Sequence, residues 1–230
     1  MRIDKIRLKL TFLFIIIAIR GFGQSSTFEG IVTYSHVDNS LVDISMKNPI
    51  DIETVYFSAE KMINRVTQGD LLSVTGNTAL FFDASSMKRY KINYDRKSIV
   101  DIGEEKDKET MNVIVMEKLK DEKILSFLCN VFLLKYVHSF EAIGSYGPEV
   151  KSDTLTTKYY VSKDYKIQNV KAFAILQGNR NTKLLDGRFE GVPLKIEIKR
   201  QDRSQTTILA VNVEVRSIDE FLDWSAFTKR

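Results

Sequence analysis

The chain predicts a mostly β domain of the α+β class, built on an antiparallel sheet, and three observations predict it. Beyond residue 23, apolar and polar side chains alternate with a period of two along most of the sequence. Turn signals such as Gln68-Gly69-Asp70, Gly76-Asn77 and Asp186-Gly187 recur at short intervals. Short connections make neighbouring strands antiparallel. Segments with helical spacing are few.

Residues 1–23 read as an export segment and not as part of the fold. Arg2, Lys5, Arg7 and Lys9 form a basic start, Leu10 through Ile19 supply an apolar core, and Gly21 and Gly23 are small residues suited to a signal peptidase. A membrane span needs roughly 20 residues, more than this core offers. The expected division is therefore 1–23 as a cleaved signal peptide and 24–230 as a single domain, placed in the periplasm or outside the cell. Arg20, close to the junction, keeps an uncleaved anchor as the alternative. No cysteine stands at the junction to take a lipid.

The export segment also carries the charge imbalance. It holds five of the 34 basic and one of the 30 acidic side chains, leaving 29 of each in the remaining 207 residues. The whole formal charge of +4 sits there, and nothing favours a nucleic-acid partner, which demands a clustered basic face. One cysteine excludes an internal disulfide, so burial and hydrogen bonding must hold the domain. No Asn-x-Ser/Thr acceptor occurs, in keeping with a bacterial envelope.

The elements follow in order. In FEGIVTYSHV, Phe28, Gly30, Val32, Tyr34 and His36 share one face. Strands are then expected at Thr54–Phe57, Met62–Thr67, Ala79–Asp83, Arg89–Tyr94, Asn112–Lys118, Asn130–Ser139 and Thr157–Ser162. The charged stretch Gly103–Glu109 reads as a solvated loop. Asn169–Gln177 puts Val170, Phe173 and Ala174 on one side of a helix that Gly178-Asn179 ends. In PLKIEIK, Leu194, Ile196 and Ile198 alternate with Lys195, Glu197 and Lys199. In TILAVNVEV, Leu209, Val211, Val213 and Val215 alternate with Ile208, Ala210, Asn212 and Glu214. The Ser217–Glu220 spacing suits a capping box, and Phe221, Trp224 and Phe227 follow as the stripe of a helix docking on the sheet.

One strand differs from the rest. Asn130–Ser139 is apolar on both faces, with Val131, Leu133 and Val137 on one and Phe132, Leu134 and Tyr136 on the other. Such a sheet must be covered on one side and enclose something apolar on the other. A tightly filled sandwich satisfies this, and so does a curved half-barrel around a ligand.

Four segments occur in a telling order: FEGIVTYS near the start, KILSFLCNVFLLKY at 123–136, TKYYVSKDY at 157–165, and LDGRFEGVPLKIEI at 185–198. Together they resemble the secreted domain-of-unknown-function and GLPGLI-type bacterial envelope proteins. Those are in turn similar to the periplasmic lipoprotein carrier and its outer-membrane receptor (LolA/LolB-like). Ser126 stands where the mid-chain motif prefers glycine, and GVPLKI is a loose echo of GLPGLI. The resemblance implies an unclosed half-barrel of curved antiparallel sheet with a few covering helices, whose apolar concave face receives acyl chains. No stretch aligns with the carrier's gating arginine, and Arg65, Arg89 and Arg96 read as surface charges.

Chemical candidates are weaker than their structural alternatives. Cys129, among Leu128, Val131 and Phe132, reads as an inert buried thiol. His138 lies nine steps along the same strand, an odd number that puts it on the opposite face, so only His36 could approach the thiol. Two histidines and one cysteine without ligand spacing make no metal site. Ser85-Ser86-Met87-Lys88 has the serine–lysine spacing of some acyl-enzymes but no companion motif. Asp219, Glu220 and Asp223 fit a helix start. The sequence therefore predicts no enzyme, no cofactor, no metal and no assignable ligand-binding residue.

Two function classes stand ahead of a hydrolase or transferase. The first is an exported monomer binding a lipid or lipoprotein acyl chains in the hollow of its sheet, which expects a cavity of about 300–1,000 Å³. The second is an envelope interaction module, which expects a packed core and a large exposed apolar patch.

Overall fold

The computed structural model describes residues 27–38, 51–86, 88–103, 109–144, 147–167, 189–202 and 204–229. The export segment, the helix expected at Asn169–Gln177, the Asp186-Gly187 turn and most of the loop 103–109 lie outside them.

Among the described residues twelve strands form one sheet. They are β1 (Gly30–Asp38), β2 (Asp51–Phe57), β3 (Lys61–Gln68), β4 (Thr78–Asp83), β5 (Lys88–Asn93), β6 (Ser98–Asp101), β7 (Glu109–Ile124), β8 (Phe127–Gly144), β9 (Gly147–Lys166), β10 (Gly191–Lys199), β11 (Gln205–Val215) and β12 (Thr228–Lys229). A six-residue helix α1 (Asp70–Thr75) fills part of the β3–β4 turn. The spatial order is β12-β6-β5-β4-β3-β2-β1-β11-β10-β9-β8-β7. Every pairing is antiparallel except that of β12 with β6. Two meanders meet at β1 and β11: β1 to β6 steps outward, and β7 to β11 returns from the far edge.

That order forces the sheet to curve. β6 and β7 are ten places apart, about 48 Å across a flat sheet. The seven residues between Asp101 and Glu109 reach at most about 29 Å. The edges must therefore approach each other, although β7 and β12 do not pair and the sheet stays open. A second contact tightens one end. Thr27 bridges Lys166, and the Phe28 N–H donates to the Lys166 carbonyl at 2.6 Å, although β1 and β9 are separated by β11 and β10. The Ile167 N–H donates to the Glu190 carbonyl, also at 2.6 Å. The two Phe-Glu-Gly tripeptides, 28–30 and 189–191, thus clasp the end of β9 from either side. Gly30 and Gly191 are required there, because a Cβ on either would lie 2.0 Å from a backbone oxygen, of Glu214 and Ser162 respectively.

Burial follows the two faces. The inner core joins Phe28, Val32, Tyr34, Val55 and Phe57 to Leu134, Tyr159, Leu194 and Ile196. The doubly apolar strand is seen in β8, with Cys129 and Val131 buried on one face and Leu134 and Tyr136 on the other. A smaller outer core of Ile63, Ala79, Phe81, Ile92 and Ile99 lies on β3 to β6.

Three expectations need correction. The Phe221, Trp224, Phe227 stripe docks on the sheet, but no α-helix carries it. The segment is a 3₁₀ turn at Asp219–Phe221 followed by irregular chain and β12. The capping box does not form: Glu220 pairs with Arg216, and the Ile218 N–H donates to Glu29 Oε1. Each ring instead meets an aromatic of the sheet or its β5–β6 turn, Phe221 on Tyr56, Trp224 on Phe81 and Phe227 on Tyr94. Second, the alternation of 207–215 breaks at a bulge: Thr33 faces Asn212 while Tyr34 faces Ala210. Val213 and Ala210 therefore share the inner face, and Val211 between them is exposed. Third, β8 and β9 run well past the expected Asn130–Ser139 and Thr157–Ser162. Their polar outer halves satisfy each other's backbone as a long hairpin, with the Ser139 and Ser152 hydroxyls 2.7 Å apart.

Candidate functional site

Register builds the inner face into a row. Phe132 of β8 pairs with Tyr159, Tyr159 with Ile196, Ile196 with Ile208, and Ile208 with His36 of β1. Paired residues share a face, so five strands present one apolar line about 19 Å long that ends in an imidazole. Phe189, entering β10, lies across the apolar end, its ring 4.7 Å from Phe132 and 5.1 Å from Tyr159. Tyr34 spans the middle: its hydroxyl passes its partner Ala210 and donates to the Pro193 carbonyl at 2.8 Å.

The polar end is a three-residue cluster. His36 Nε2 lies 2.7 Å from Glu53 Oε2, and Asn64 Nδ2 donates to Glu53 Oε1. Glu53 and Asn64 are buried at 8% exposure, whereas the His36 side chain keeps 21%. Both oxygens of the buried carboxylate are therefore held, which is what makes its burial tolerable. Burial, and then the Glu53 charge, push the Tyr34 phenol well above its ordinary range, so it stays a donor. Nothing in the sequence singles out Glu53 or Asn64. They stand 11 residues apart on adjacent strands, and only the β2–β3 register brings them together.

The outer face carries a cleft of about 300 Å³ beside the C-terminal segment 217–229, a strap laid along the sheet. Phe81, Tyr90, Ile99 and Trp224 make its apolar end. Asp83, Lys88, Asp101 and Lys229 make its charged end. Lys88 lies 3.7 Å from Asp101, and Asp83 accepts from both the N–H and the hydroxyl of Ser85. Burial acts against the Asp83 charge, but hydrogen bonds from Ser85 and Ser86 outweigh it and lower the carboxyl's pKa.

The other candidates separate. Cys129 is fully buried, its Sγ 3.7 Å from the Phe127 carbonyl, and burial pushes the thiol up to about 11. His138 is on the opposite face of the unbroken β8–β9 ladder, and His36 is held by Glu53. Ser85 and Lys88 are tied to different carboxylates and form no dyad. Arg89 donates to the Gly103 carbonyl, and Arg96 lies exposed in the β5–β6 turn. Arg65 is not a plain surface charge: it packs 4.5 Å over the Tyr94 ring and donates to Asn77 at 2.7 Å. Among the described residues no His, Cys, Asp or Glu side chains gather as metal ligands would, and no helix is long and apolar enough to cross a membrane. Asp219 and Glu220 lie in the 3₁₀ turn, and Asp223 accepts from the Ser225 N–H.

No family model matches the chain, and no curated protein aligns with it significantly.

Proposed function

We propose that this is an exported envelope protein, without enzymatic activity, that binds a lipid or lipoprotein acyl chain along the inner face of its sheet. The observation that carries the reading is the in-register row from Phe132 to His36 on the closed-in side of a curved, open sheet. An extended chain of methylenes matches a row of aliphatic and aromatic side chains about 19 Å long, each buried methylene being worth about 0.8 kcal/mol. His36, the partly exposed member of the polar cluster, would meet the ligand's hydrogen-bonding head. The row is covered in this structure, so entry requires a side chain to leave, and Phe189 is the ring lying across it. The resemblance to GLPGLI-type and carrier-like envelope proteins supports the same reading.

The test is native mass spectrometry of chain recovered from the periplasm of a diderm host, followed by lipid extraction. A stoichiometric adduct releasing phospholipid, fatty acid or lipopeptide, and enriched in Phe189→Ala, is expected. Protein that emerges bare, and stays bare in Phe189→Ala, would remove the reading.

One observation favours a second reading, an interaction module. β7 is a sixteen-residue edge strand on which Val113, Ile114 and Val115 are exposed. An unpaired apolar edge is a template for another strand. Concentration-dependent association abolished by Val115→Lys would support it.

A further inference from the structure

We infer that the outer cleft beside Trp224 is a binding site for a neutral saccharide unit, separate from the inner face. The cleft holds about 300 Å³, the lower end of the size range of small-ligand sites. Its two ends have opposite character. Register sets Phe81, Tyr90 and Asp101 side by side on β4, β5 and β6, and Asp83 beside Lys88 in the next row. Trp224 stands at the apolar end, held by its edge-on contact with Phe81 at 4.4 Å. One end of a ligand thus meets aromatic faces and the other meets ionised groups.

The charge balance narrows the ligand. Among the described residues two carboxylates and two ammonium groups line the cleft and cancel, so neither a phosphate nor a polyamine finds a complementary field there. A wholly apolar ligand would strip water from four charges, which is costly. The hydroxyls and N–H groups of Ser85 and Ser86 take up Asp83. Asp101 accepts from the Gly103 N–H and pairs with Lys88, fewer than the about four acceptor positions a carboxylate has, and an ammonium has three donors. Hydroxyl groups suit that mixed supply, since each donates to a carboxylate and accepts from a lysine. A ring with hydroxyls around its edge and C–H groups on its face also suits Tyr90 and Trp224, whose rings offer apolar area beside a polar rim. A pyranose has both features. The Lys88 and Asp101 side chains keep 56% and 42% exposure, so the cleft is open to a ligand arriving from solvent.

The fold supplies its own reporter, because Trp224 is the only tryptophan in the chain. The purified full chain would be titrated with glucose, galactose and N-acetylglucosamine, and in parallel with glycyl-leucine and inorganic phosphate, following tryptophan emission. A saturable change with at least one sugar, at an affinity of about 1 mM or tighter, is expected. Asp101→Asn, a near-isosteric change on an exposed side chain, should weaken it about tenfold, since hydrogen bonds to charged groups carry that much. Tyr90→Ala should abolish it, with thermal unfolding reporting whether that variant is folded. No saturable response to any sugar, a dipeptide or phosphate titrating instead, or an unchanged affinity in a folded Asp101→Asn would each overturn the inference.

Discussion

The Tyr34 hydroxyl reaches across β11 to the Pro193 carbonyl, 2.8 Å away and fully out of water. Pro193 lies where the β9–β10 register shifts, and its carbonyl accepts from this side chain. Tyr34→Phe keeps the ring and removes that buried donor. The expected cost is about 1–3 kcal/mol, seen as a lower denaturation midpoint with an unchanged slope. An unshifted midpoint would show that the bond contributes nothing net.

The clasp at the end of β9 is steric as much as hydrogen-bonded. Alanine at residue 191 would press its Cβ against the Ser162 carbonyl at 2.0 Å, and at residue 30 against that of Glu214. Backbone cannot rotate aside, so one pair of strands must separate. Gly191→Ala and Gly30→Ala should each destabilise by about 1–3 kcal/mol or more, and amide exchange should quicken first at Phe28 and Ile167. Wild-type protection at both amides in the alanine variants would refute the clasp.

Cys129 provides a direct check on the core. Its thiol is fully buried and shifted up to about 11, so at pH 8 almost none is thiolate and none is accessible. A thiol-specific reagent should label native protein only as fast as it unfolds, and should titrate one thiol at once in denaturant. Rapid labelling of native protein at pH 8 would contradict the packing at β8.

The strands were legible in sequence wherever one face is dry and the other wet. Leu194, Ile196 and Ile198 turn inward with Lys195 and Glu197 outward, as their alternation requires. The double burial of β8 was legible too. β6 was not, because Ser98–Asp101 is only four residues long and follows a turn. The strap was half legible. Its three rings announce docking, but a spacing of three serves a 3₁₀ turn laid along a sheet as well as a helix, and Arg216 takes the glutamate a capping box needs. The Glu53–His36–Asn64 cluster and the Trp224 cleft were invisible, because no motif marks their members and only the register of neighbouring strands brings them together. Length alone, by contrast, could have shown the curvature once the strand order was known.

The outer-face triad Tyr160–Glu197–Lys195 sets a pH window that stability measurements can resolve. Glu197 accepts from the Tyr160 hydroxyl at 2.9 Å and from Lys195 Nζ at 2.6 Å, and Lys195 also lies 4.9 Å over the Tyr160 ring. Burial works against the Glu197 charge, yet the bonds from Lys195 and Tyr160 outweigh it and hold the carboxyl below its ordinary 4.5. A carboxyl depressed by folding stabilises the fold above its unfolded pKa, and that contribution disappears as pH falls through the lowered value. Tyr160 is the converse case. Burial first, then the bond to Glu197 and its charge, raise the phenol above its ordinary 10.0. A raised group contributes fully below its unfolded pKa, and the contribution is lost as pH climbs past 10 toward the folded value. Wild-type unfolding free energy, measured in urea from pH 3 to 11, should therefore fall at both ends. Tyr160→Phe should flatten the alkaline fall and, by removing one donor to Glu197, soften the acid one. Glu197→Gln should remove the local acid dependence while leaving Tyr160 with less cause to resist ionisation, which ultraviolet titration of the phenol would register. If the alkaline limb is identical in wild type and Tyr160→Phe, the triad plays no part in setting the window.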